Sequence, residues 1–156
     1  GFPFHPAQIV TSFFAHIEIF HFLFNMLALA SLGPMLEMVL GVKRFLRLYL
    51  FCGVFAGILL AFIDPSDASV LGASTAVSGV FAAFALMYPD RQISLFILPP
   101  IEARKLLIGA AAISGVLMLV DLNGGDGGGI SHFGHLAGML GALVYQKIEP
   151  HLPFRD

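Results

Sequence analysis

Five apolar stretches of membrane-spanning length run through this chain, and they restrict what it can fold into more than any other feature. A helix needs about 20 mainly apolar residues to cross ~30 Å of hydrocarbon. Such stretches lie near 19–40, 45–63, 70–88, 106–122 and 130–148. The connectors are short and polar or turn-forming: GVKRFLR, DPSDAS, YPDRQI, a longer LPPIEARK region and the glycine tract NGGDGGG. Of the 156 residues, 58% are hydrophobic and 12% charged, where soluble domains carry about a quarter charged. The expected fold is all-α, a polytopic helical bundle in a lipid bilayer. Residues 1–156 form one membrane domain, with 1–18 as an outer loop segment.

Charge orients the bundle. Lys43, Arg44 and Arg47 follow the first stretch, Arg91, Arg104 and Lys105 the third, Lys147 and Arg155 the fifth, so every basic residue falls on one side. The other side carries only acids: Glu18, Asp64, Asp67, Asp121 and Asp126. Basic loops stay cytoplasmic, so the C-terminus is expected in the cytoplasm and the N-terminal segment outside, in a multi-pass protein of the cell (inner) membrane. No signal-peptide pattern precedes the first stretch, and a trimmed chain is expected. A net charge of -2 offers no footprint for nucleic acid. The lone Cys52 cannot form an intrachain disulfide and reads as a small packing residue.

At 1.5 Å per residue, sequence position becomes depth. His21 and Asn25, at i and i+4, share one helix face in the outer half of the membrane. Ser74 falls near the outer end of the third stretch and His135 at a similar level in the fifth. Intramembrane polar groups face the bundle interior or a water-filled cavity, so the shared depth implies one cavity. Thr75, Gly79 and Ala83 form a small-xxx-small row, and Gly138 and Gly141 flank the His135 face, which permits close helix approach. A Ser hydroxyl within reach of an imidazole is the minimum for a Ser–His nucleophile–base pair, with His21 and Asn25 free to donate to an oxyanion.

Blander roles compete for each residue. Serine and threonine in membrane helices commonly pack or bond their own backbone, His135 could be a hydrogen-bonded structural residue, and Asn25 could join helices. His16, Glu18, His21, His132 and His135 could ligate a metal, but they lack a tight motif such as H-E-x-x-H, so no metal and no cofactor is expected. NGGDGGG does not lead a strand into a helix and is no phosphate loop.

Three blocks resemble the rhomboid intramembrane serine proteases, from about Pro6 to Ile148. HIEIFHFLFNMLALASLGPMLEMVLG is similar to the family's H-x4-H-x3-N segment followed by G-x3-E, LGASTAVSGVFAAFALMYPDR to the segment around G-x-S-G, and HFGHLAG to A-H-x-x-G. The resemblance implies that Ser74 is the nucleophile and His135 the general base, with His21, Asn25 and the Ser74 N–H holding the oxyanion. His16, Gly72, Gly138 and Ser78 take supporting places, and Glu37 matches a glutamate near the cytoplasmic helix end. It also implies a six-helix bundle with a water-filled cavity open to the outer side, of which this chain has five core helices and lacks the first.

Two positions depart from the pattern. Thr75 replaces the glycine after the nucleophile and adds bulk where helices approach. Ser78 stands where an aromatic packs on the histidine ring; it could bond His135, or Phe133 or Phe81 could supply the packing. The implied activity is serine endopeptidase cleavage of transmembrane protein substrates near the outer face. The alternative is an inactive relative that binds transmembrane helices without cutting them. A metal or proton transporter ranks last, since the polar groups other than Glu37 do not continue to the cytoplasmic half.

Overall fold

The computed structural model describes residues 19–63, 73–94, 99–124 and 131–151. His16 and Gly72, two of the expected supporting residues, lie outside them, as do Glu18 and most of the glycine tract. Among the described residues five helices make the bundle: α1 (Ile19–Leu40), α2 (Val42–Ile63), α3 (Ala73–Met87), α4 (Ala103–Leu122) and α5 (His132–Ile148). A two-residue antiparallel ladder, β1 (Gln92–Ile93) with β2 (Ile101–Glu102), precedes α4, and a 3-10 turn, Glu149–His151, follows α5. The protein is an all-α, multi-pass membrane bundle. At ~1.5 Å rise per residue, the 22 residues of α1 or α2 span about 33 Å.

The burial pattern is that of a membrane protein. Large apolar side chains such as Phe20, Phe24, Met38, Phe62 and Leu122 face outward, where hydrocarbon rather than water solvates them. Small residues line the inside. α3 is the central helix, with 11 of its 15 residues buried, mostly alanine, serine, threonine, valine and glycine. Lipid offers no hydrophobic drive for helix association, so close contact of small side chains holds such bundles together. Its most extensive contact is with α5, and α2 closes the third side. Where the three meet, a Cβ on Gly79 would strike Cys52 and come within 2.9 Å of the Gly138 carbonyl, while one on Gly141 would lie 3.2 Å from the Cys52 Cα. Cys52 is a buried free thiol filling that junction.

The helix ends have local causes. Gly41, at φ +77°, is the one residue between α1 and α2 and donates its N–H to the Glu37 carbonyl at 2.7 Å. This left-handed turn favours glycine. Pro34 inside α1 lacks the N–H that would bond the Ala30 carbonyl. α2 and α4 begin three residues before the apolar stretches near 45–63 and 106–122 and so take in Lys43, Arg44, Arg104 and Lys105. Long basic side chains bury their stems and carry the charge outward, so they suit the first turns of a spanning helix.

Ion pairs tie these ends together. Arg44 joins the start of α2 to Glu149 beyond α5 at 3.3 Å, and Arg104 reaches Asp90 at 2.8 Å and Glu102 at 3.0 Å. α4 is the least embedded helix, with only Ala103 and Ser114 buried. Between it and α1 runs an apolar groove of about 1050 Å³, lined by Leu27 and Ala28 of α1, Val77 and Ser78 of α3, and Gly109 and Ile113 of α4.

Candidate active site

The inward face of α1 carries His21 and Asn25, while Ile19, Phe20, Phe22, Leu23 and Phe24 are exposed around them. Helical periodicity makes this unavoidable. Residues i and i+4 lie above one another, so turning the phenylalanines to lipid turns both polar groups to the interior. Asn25 is buried and His21 half-buried.

Ser74 is the second residue of α3 and is buried at 7% exposure. Thr75 beside it is buried more deeply, and its backbone and side chain meet α5. A Cβ on Gly138 would strike the Thr75 carbonyl oxygen and lie 3.4 Å from the Thr75 methyl; one on Gly134 would lie 3.0 Å from Thr75 Oγ1. The bulk that Thr75 adds is therefore received by two glycines one turn apart on α5.

α5 starts at a capped end. Ser131 Oγ accepts the Gly134 N–H at 3.1 Å, and the Ser131 carbonyl accepts the His135 N–H at 3.1 Å. A serine at this position satisfies an amide that the helix itself leaves unbonded. His132 and His135 then fall at i and i+3, with ring centroids 6.1 Å apart at an interplanar angle of 85°. His132 is buried at 6% exposure.

Three buried polar atoms on three helices share one property. Asn25 Nδ2, Thr75 Oγ1 and His135 Nε2 have no hydrogen-bond partner among the described residues. Most buried polar atoms are satisfied, so each exception calls for an explanation. Of these, Asn25 Nδ2 is a donor and His135 Nε2 a base with capacity to serve a reacting group that brings its own partners.

The structure sets α1 and α5 each against α3, with His21 and Asn25 on α1, Ser74 on α3, His135 on α5, and Gly138 in the α3/α5 contact. Ser78, half-buried, lines the groove between α1 and α4. Among the described residues no three His, Cys, Asp or Glu side chains converge as a metal site would require. Two neighbours of the site carry more than the sequence reading assigned them. His132 was weighed there only as a metal ligand, although its i, i+3 spacing from His135 already put the rings on adjoining turns. Thr75, which belongs to the small-xxx-small row and also departs from the family pattern, is the residue through which α3 meets Gly134 and Gly138.

Fold and site define a class, a multi-pass helical membrane bundle with an interior serine, two histidines and an asparagine. Residues 3–150 match the family model described as Rhomboid domain, and the chain belongs to the rhomboid family. It is similar to Rhomboid protein 1, mitochondrial, of Saccharomyces cerevisiae, 36% identical over 101 residues that cover 59% of this chain and 28% of the yeast protein. Rhomboid protease GluP of Bacillus subtilis is 29% identical over 139 residues, covering 87% of this chain and 24% of that protein. RHOMBOID-like protein 12, mitochondrial, of Arabidopsis thaliana is 27% identical over 159 residues, covering 90% and 46%. The chain spans less than two thirds of the length of these curated relatives. No solved structure matches it.

Proposed function

We propose that this chain is the membrane domain of a serine endopeptidase that cleaves transmembrane segments near the outer membrane face. The observation that carries the reading is the packing of Thr75 against Gly134 and Gly138. The residues adjoining that contact are Ser74 on α3 and His135 on α5. Membership of the rhomboid family and likeness to a relative named a protease support it further.

Ser74 Oγ attacks the scissile carbonyl carbon while the His135 imidazole takes its proton, and the resulting imidazolium returns that proton to the leaving amine. Water then attacks the acyl-serine, His135 accepting its proton and giving it back to Ser74. Asn25, His21 and the Ser74 N–H donate to the oxyanion in both tetrahedral states. In the first turn of a helix an N–H has no intrahelical acceptor, so the Ser74 amide suits that role. These steps use water and groups of this chain alone.

The groove between α1 and α4 supports lateral entry of a substrate helix from the bilayer, and the few buried residues of α4 support its moving as the gate. A helix must unwind locally to be cut, because its carbonyls are otherwise held in its own hydrogen bonds. Single-pass proteins with small residues beside the scissile bond are the substrate class. Lys43, Arg44, Arg47, Arg91, Arg104, Lys105 and Lys147 lie toward one end, which supports a cytoplasmic position for that end, an outward-facing Ser74, and the cell (inner) membrane as location.

The test is labelling of the full-length protein in liposomes by a fluorophosphonate probe, with Ser74→Ala, His135→Ala and Ser78→Ala in parallel. Labelling lost in the first two and kept in the third is expected. Loss in Ser78→Ala alone would move the nucleophile to Ser78. No labelling of folded protein would make the chain a helix-binding relative without catalysis.

A further inference from the structure

Thr75 does more than fill space. Its hydroxyl lies over Gly134, 3.0 Å from where a Cβ would be, and its methyl over Gly138, 3.4 Å from the corresponding position. The side chain is almost completely buried, at 1% exposure, and its Oγ1 has no partner among the described residues. A hydroxyl buried without a partner carries a desolvation cost, so hydrogen bonding within the described residues does not account for its presence. Shape does. A β-branched side chain has few χ1 options, and this one straddles two glycines one turn apart, which restricts both sliding and rotation of α5 against α3. Ser74 immediately precedes the knob, and His135 immediately follows the first glycine of the notch. Any shift at the contact is therefore passed directly to both groups.

The geometry points to Thr75 as a positioning residue, whose seating in the Gly134–Gly138 notch sets the separation of Ser74 Oγ from the His135 imidazole. This rests on the Ser74–His135 reading above and deepens it. Thr75 touches no reacting atom; it acts through the register of two helices. Adding a methyl at Gly134 and trimming Thr75 disturb the same contact from opposite sides, so the two changes are coupled. Ser131 Oγ lies 2.9 Å from the same Cβ position on Gly134 and accepts the Gly134 N–H, so Gly134→Ala also presses on the α5 cap, a contribution that a Ser131→Ala comparison measures.

The experiment measures fluorophosphonate inactivation kinetics of the full-length protein in liposomes, separating the inactivation rate constant from the probe's binding constant. Thr75→Ala, Gly134→Ala, the double variant and Thr75→Val are compared, with thermal melting of each. In the reaction Ser74 Oγ bonds phosphorus, fluoride leaves, and His135 takes the serine proton, so the rate constant reads the Ser74–His135 geometry. Each single variant is expected to lose about tenfold or more in rate constant, since small misplacements of reacting groups cost up to ~10²-fold, with probe binding within about twofold. The double variant is expected to lose no more than the worse single, because the changes act on one contact. Thr75→Val, which keeps the shape and drops the hydroxyl, is expected to stay within about threefold of wild type.

Single variants with wild-type rate constants, or losses that multiply in the double variant, would overturn the inference, as would a Thr75→Val rate as low as that of Thr75→Ala. Failure of the underlying reading looks different: Ser74→Ala would still be labelled. A variant that loses rate only because it has unfolded is recognised by its melting curve, and the folded Thr75→Val comparison then decides between shape and hydroxyl.

Discussion

Gly138→Ala adds a single methyl group at the closest approach of α3 and α5. The new Cβ would overlap the Thr75 carbonyl oxygen, with the Thr75 carbonyl carbon at 3.0 Å. Both are backbone atoms, so no rotamer change relieves the contact, and the helices must part by roughly 1 Å to restore ordinary van der Waals distances. Overpacking of this kind costs about 1–3 kcal/mol, and two facing backbones put the cost toward the upper end. For a chain of this size that corresponds to a fall of roughly 5–10 °C in melting temperature. The catalytic effect should be larger, because the same displacement separates Ser74 from His135, and about 1 Å of misplacement costs up to ~10²-fold in rate. Thermal unfolding and fluorophosphonate labelling in one detergent check both figures. Gly115→Ala is the matched control, since nothing lies within 4 Å of its Cβ position. If Gly138→Ala melts and is labelled like wild type, the contact on which the site reading depends is not formed.

Gly41→Ala should destabilise by about 1–2 kcal/mol through backbone conformation alone, since φ is +77° and nothing lies within 4 Å; Gly41→Asn should cost less, and comparative melting tests the order. Asn25→Ala should slow cleavage of a transmembrane reporter by about 10²–10³-fold with little change in melting, the scale for one oxyanion donor. A spacer joining cysteines placed at Ala28 and Ala110, on opposite walls of the groove, should block cleavage of a transmembrane reporter yet leave fluorophosphonate labelling intact; unimpaired cleavage would exclude lateral entry there. Hydrogen bonds from Lys105 and then Arg104 hold the Glu102 carboxyl below the usual glutamate range. A lowered folded pKa means that the stabilisation is present above the ordinary value and is lost as pH falls through the lowered one. The small difference in melting between wild type and Glu102→Gln should therefore persist through the ordinary glutamate range and disappear only below it.

Much of the protein was legible in one dimension because the bilayer is a severe solvent. A helix in hydrocarbon must bond its own backbone and show apolar side chains outward, so length and hydropathy alone mark where chains such as Ile19–Leu40 run. The same constraint makes every interior polar residue conspicuous, which is how His21, Asn25, Ser74 and His135 stand out among phenylalanines and leucines. Periodicity even carried the facing of α1, since the i, i+4 pair could point inward only if its phenylalanines pointed to lipid.

Packing between helices carries no such one-dimensional signature. Thr75 stands in a row fit for close approach and yet adds bulk to it, and because its partners lie some sixty positions along the chain only the folded bundle sets it over Gly134 and Gly138. Ser78, three residues on and about 60° around the helix from Thr75, lines the groove beside α4. The junction of Cys52 with Gly79 and Gly141, and the loose seating of α4, likewise arise from three-body contact. Solvent chemistry wrote the helices and their polar cargo into the sequence, because each residue meets the bilayer on its own. Which side chains meet each other was decided by close packing of distant segments, a property of pairs and triples that exists only once the helices have come together.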